Sequence, residues 1–103
     1  MINETENFRP GDLILIAFNN VFVPGMYVTT SDTFKFRGLS WYNNTDHKFV
    51  DQMIAGERPL PSIDYLITWD TRRIIRIPET KLDDVEKKYL KFYRSKLPNE
   101  YKN

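Results

Sequence analysis

The 103-residue chain contains no cysteine, which excludes a disulfide framework, thiolate zinc sites and cysteine nucleophiles, and fits a reducing compartment. Its one histidine, His47, stands in the polar stretch Asn44-Thr45-Asp46-His47-Lys48. No second imidazole completes a metal site there and no serine sits at a nucleophile elbow, so it reads as a surface or helix-capping residue. The four glycines are scattered, leaving neither a dinucleotide fingerprint nor a phosphate loop. Asp46, Asp51, Asp64 and Asp70 fit no calcium loop or paired-acid spacing; aspartates at strand turns ordinarily bond the local backbone. The unbroken apolar run ends after six residues, Leu13 to Phe18, too short for a signal peptide or a membrane span. These absences point to a noncatalytic cytoplasmic protein without metal or cofactor and with no membrane contact.

What remains is rich in aromatics. They make up 15% of the chain and supply the burial that two alanines and three methionines do not. The size suits one domain. The net charge of +1 hides a division: residues 1–71 carry five basic and nine acidic side chains, a balance of −4, and residues 72–103 carry ten and five, a balance of +5. A basic C-terminal third either meets an anionic partner or complements the acidic surface of its own sheet.

Patterning predicts a mainly β, α+β domain with a barrel-like sheet over 8–78, a short helix near 47–55 and a C-terminal helix over 80–97. Leu13 to Phe18, apolar at every position, reads as a central strand buried on both faces. Beyond Pro24-Gly25, Met26 to Thr30 and Thr33 to Arg37 form a hairpin about Ser31-Asp32, with Phe34 and Phe36 on one face and Lys35 and Arg37 on the other. Gly38 is where a bulge could bend the second strand. Phe49, Val50, Met53 and Ile54 recur on one helical face before Gly56. Ile63 to Trp69 alternates, and Asp70-Thr71 turns it into Arg72 to Ile77, a second hairpin. Thr80 to Asp83 resembles a helix-capping sequence ahead of an apolar stripe of Val85, Tyr89, Phe92 and Tyr93 reaching Leu97. Acids in its first turns and bases in its later ones complement the helix dipole. Only the two ends read as frayed.

Two motifs bear on partners. Arg58-Pro59-Leu60-Pro61 is half of a proline-rich SH3 ligand, but Asp64 stands where the next proline belongs, so a rigid loop is expected. Arg72, Arg73 and Arg76 could contact phosphate while Tyr65 and Trp69 stack on bases. Asp64 and Asp70 are equally placed to pair with these arginines across the strands.

Gly11-Asp12-Leu13-Ile14, Asn19-Asn20, Phe22-Val23-Pro24-Gly25 and Phe36-Arg37-Gly38 resemble SH3-like small barrels of the PWWP and Tudor-like type. The resemblance spans Phe8 to Trp41 and implies a five-stranded barrel, or a strongly bent antiparallel sheet, with helices packed on it. The tryptophan with which PWWP domains cage methyl-lysine corresponds to Val23, and only Phe36 keeps an aromatic, so the barrel carries over and the ligand does not. Nine isoleucines, eight asparagines and eight lysines against two alanines suit an A·T-rich genome, and a compact single domain without a recognisable motif resembles bacteriophage accessory proteins.

The functional expectation is a binding module acting on a protein partner, such as a phage-encoded modulator of a host protein, with Phe22, Tyr27, Trp41 and Tyr42 as anchors. The alternative is nucleic-acid binding through Arg72, Arg73, Arg76, Lys88 and Lys91. A structural part of a virion or larger assembly is the third reading.

Overall fold

Pro10-Gly11-Asp12 turns the chain into the sheet: the Asp12 carboxylate accepts from the Arg9 N–H at 2.9 Å, and Gly11 takes a φ of 98° that other residues rarely adopt. The computed structural model describes residues 8–30, 33–43, 46–66 and 73–98. Strand β1, Leu13–Phe18, sends Leu13 and Leu15 to one core and Ile14 and Ile16 to another, which is why its run is apolar at every position. Asn19 and Asn20 both have positive φ, 48° and 66°, the conformation of a two-residue type I′ hairpin turn. They lead directly into β2, Val21–Thr29, paired antiparallel from Phe18↔Val21 to Leu13↔Met26.

Pro24-Gly25 thus lies inside a strand rather than ahead of one. The Pro24 carbonyl accepts from Leu39 N–H at 3.0 Å, beyond the end of β3, Phe34–Gly38. The proline nitrogen faces the same side, where there is no ladder bond to lose. β2 pairs with β3, and the irregularity in that pairing falls between Tyr27 and Thr29 rather than at Gly38. The expected Ser31-Asp32 turn lies outside the described residues, as do the two ends.

β4, Asp64–Leu66, and β5, Ile74–Arg76, do not form the expected hairpin. The order is β4-β3-β2-β1-β5, which sets them on opposite edges and makes β2, not β1, the central strand. Alternation reports which faces a strand buries but not which neighbour it takes. Here β5 completes the outer edge of β1 through Ile14↔Arg76, Leu15↔Ile75 and Ile16↔Ile74. The result is an antiparallel five-stranded sheet with two helices, mainly β, open rather than closed into a barrel.

Helix α1, His47–Ile54, buries Val50 and Met53 and leaves Phe49 and Ile54 exposed; Gly56 follows at φ 79°. A 3-10 turn, Glu79–Lys81, precedes α2, Asp84–Ser95, so the last helix starts later than position 80. Asp83 caps it. Its side chain accepts from Glu86 N–H at 2.8 Å while Glu86 accepts from Asp83 N–H at 3.2 Å, a reciprocal capping box. The inward face is Glu86, Tyr89, Leu90 and Tyr93, continued by Leu97, so Val85 is exposed and the expected stripe is rotated. Glu86 takes the inward place because its second oxygen accepts from the Asn43 N–H at 2.8 Å.

The helices cover one face of the sheet over a core that includes Leu13, Met26, Val28, Trp41, Tyr89 and Tyr93. On the other face Phe8, Ile14, Ile16, Tyr27, Phe34, Phe36 and Ile74 form a second core. Among the described residues no helix contributes to it. Among the described residues, too, no helix is long and apolar enough to cross a membrane.

Candidate partner-binding groove

On the helix-covered face, Leu15 lies opposite Pro24 on one side and Ile75 on the other, and Leu39 follows through its bond to Pro24. An open groove of about 810 Å³ lies over Leu15, Pro24 and Leu39, walled by Phe22, Tyr42 and Pro61, with Asn43 and Asp64 on its rim. No residue of either helix lines it.

Each wall is positioned by ordinary local chemistry. Phe22 sits two residues past the hairpin turn, opposite the small Ala17, and is 70% exposed. Trp41 and Tyr42 are successive residues of the turn after Leu39. Trp41 enters the core edge-on to Tyr89 and Tyr93, at 5.7 and 5.9 Å, while Tyr42 stays half-buried against the groove. Asn43, at φ 61°, reverses the chain and ties the turn to α2 through Glu86. Pro61 is fixed from behind by Arg37, whose guanidinium donates to the Pro61 carbonyl. Arg37 is itself buried; burial lowers its pKa, opposed by the nearby Tyr93 and Asp64.

Of the four expected anchors, then, the fold gathers Phe22 and Tyr42 at one groove. Tyr27 and Trp41 are core residues, at 5% and 0% exposure. Tyr27 stands edge-on to Phe8 and Phe34 and bonds Thr30 through its hydroxyl at 2.8 Å, so neither it nor Trp41 can touch a partner without unfolding. The groove residues that sequence reasoning missed are Leu15, Pro24 and Pro61. Their only signal was a lack of charge from Leu13 to Ser31 beside a proline-rich loop. That loop, Arg58 to Pro61, is folded back on the domain: Arg58 lies over the Phe49 ring at 3.9 Å and donates to Gln52 at 3.0 Å.

The nucleic-acid candidates are dispersed. Tyr65 and Asp64 on β4 are at the edge opposite Arg76, so neither meets it; Trp69, Asp70 and Arg72 lie outside the described residues. Arg73 is exposed. Arg76 pairs with Asp12 at 3.5 Å and lies over the Phe8 ring at 4.7 Å. Arg94 grips both oxygens of Glu79, at 2.6 and 3.2 Å, holding that carboxyl below its usual range, and donates to the Gly11 carbonyl. Lys88 and Lys91 are exposed on α2.

The carboxylates do not converge either. Asp46 stands at the N-terminus of α1 without a capping bond from its side chain, Asp51 accepts from the Tyr89 hydroxyl at 2.8 Å, and among the described residues no three histidine, aspartate or glutamate side chains could hold a metal ion together. His47 begins α1 and stands edge-on to Tyr89 at 5.1 Å. Comparison with protein-family models, curated proteins and solved structures finds no match to the chain.

Proposed function

We propose that the chain is a noncatalytic binding module that docks a protein partner at this groove, on a sheet of the SH3-like small-barrel kind. The observation that carries the reading is Phe22, 70% exposed at the lip of an apolar concavity. A large aromatic beside a groove lined by leucine, proline and tyrosine is the composition of an interface anchor, and such patches are uncommon on surfaces that meet only water. The return of β5 to the side of β1 supports the small-barrel kinship.

The test compares binding partners captured from the native host by wild type, Phe22→Asp, Tyr42→Ala and, as a control on α1, Phe49→Asp. A captured protein is then purified and its affinity measured with each variant. The expected outcome is a loss of at least tenfold for the two groove variants and none for Phe49→Asp. Affinity that ignores Phe22 and Tyr42, or capture of nucleic acid with steeply salt-dependent binding that falls on replacing Lys88 and Lys91, rejects the groove.

A further inference from the structure

Among the described residues, the buried charged side chains are Arg37 and Glu86, at 6% and 5% exposure. Neither forms an ion pair with a described residue; each bonds backbone instead. Arg37 donates to the Pro61 carbonyl, and Glu86 accepts from the Asn43 and Asp83 N–H groups at 2.8 and 3.2 Å. Pro61 is a wall of the groove and Asn43 adjoins the Tyr42 wall, yet neither Arg37 nor Glu86 lines the groove itself. We propose that Arg37 and Glu86 are positioning residues, which act on the groove through the two loops they hold and set its shape before a partner arrives.

Three observations carry the inference. A buried charge without a counter-ion is costly, and apolar side chains of similar volume fill a core at least as well. Arg37 lies opposite Met26 of the first core, and Glu86 shares the inward face of α2 with Tyr89, Leu90 and Tyr93, so packing alone would favour leucine or methionine at both places. Secondly, sheet pairing fixes the groove floor at Leu15 and Pro24, but Tyr42 and Pro61 belong to neither strand nor helix. Asn43, beside Tyr42, has a φ of 61°, a conformation uncommon outside glycine, and its N–H is the group that Glu86 holds. Thirdly, the two oxygens of Glu86 divide their work: one closes the capping box with Asp83 and the other ties down the turn. Loops fixed in advance lose less freedom on binding, which raises affinity without adding a contact.

This inference rests on the groove being a protein-docking surface, and its test separates the two. Arg37→Met and Glu86→Leu remove the loop bonds at similar volume. Asp83→Ala opens the same capping box but leaves the Asn43 bond, and so controls for lost helix stability. In the free protein, the Asn43 amide should exchange with solvent about tenfold faster in Glu86→Leu than in Asp83→Ala or wild type, the effect of one lost hydrogen bond. For the purified protein captured at the groove, affinity should fall about tenfold in Arg37→Met and in Glu86→Leu and hold in Asp83→Ala. Arg37→Lys, which keeps a donor, and Glu86→Gln, which keeps one acceptor oxygen, should lose less; they also serve if an apolar variant fails to melt cooperatively. An unchanged Asn43 exchange rate, or equal affinity losses in Glu86→Leu and Asp83→Ala, overturns the positioning role. Full affinity in Arg37→Met and Glu86→Leu for a partner that does depend on Phe22 and Tyr42 overturns that role alone. A partner indifferent to Phe22 and Tyr42 rejects the groove and the positioning role with it.

Discussion

A β-carbon at Gly25 would meet the Phe36 ring at 2.9 Å and the Arg37 carbonyl at 3.5 Å, and Phe36 is held in the second core by its neighbours. Gly25→Ala should therefore cost about 1–3 kcal/mol, the usual penalty of overpacking, as a lower urea midpoint with unchanged m-value. Tyr89 makes a prediction with a pH signature. Burial, then the hydrogen bond to the Asp51 carboxylate, push its hydroxyl up to about 12. From pH 10 to 12 the unfolded chain releases this proton and the folded one keeps it, so stability falls with rising pH, by at most about 1.4 kcal/mol per unit for one proton. Tyr89→Phe loses the hydrogen bond, about 1–2 kcal/mol at neutral pH, but lacks the titration. Its deficit relative to wild type should narrow above pH 10 in denaturant melts, and a constant deficit would disprove the assignment.

At the scale of elements, α2 depends on its first turn. Asp83→Ala breaks the capping box and should lower stability by about 0.5–2 kcal/mol, read by thermal melting, with Asp83→Asn restoring most of it. This helix also shows how far sequence pattern reaches. Its existence, its charge order and its anchoring by Tyr89 and Tyr93 follow from periodicity, but its phase does not, because Glu86 occupies an inward position that a hydrophobic stripe assigns to Val85. The reason is tertiary: only the fold supplies the Asn43 N–H that Glu86 accepts. Leu13 to Ile16 could be read residue for residue, since a strand that feeds a core on each face must be apolar throughout, whereas Phe18 at its end is 45% exposed. The pairing of β4 and β5 could not, because closeness in sequence favours a hairpin and only β1's open edge draws β5 away. The groove was legible in half its walls. Phe22 and Tyr42 stand out as aromatics, whereas Leu15 and Pro24 become surface residues only through cross-strand register.

For the whole molecule, α2 seals the first core. Tyr89, Leu90, Tyr93 and Leu97 are each at most 7% exposed, and burying such side chains is worth about 1.5–3 kcal/mol apiece, together comparable to the full stability of a small domain. A chain truncated after Pro78 should therefore show no cooperative thermal transition; a melting temperature near the full-length value would make the helix an accessory. The strand order also sets a timetable. Ile14 takes Arg76 as its partner, and the Gly11 carbonyl takes Arg94, so the beginning of the domain is finished by its end. At about 5–20 residues per second of synthesis, β1, β2 and β3 wait on the order of ten seconds on the ribosome with both strand edges and the helix-covered face open. During that interval the nascent chain is a natural client for chaperones that hold apolar segments, and the domain closes only when α2 has left the ribosome.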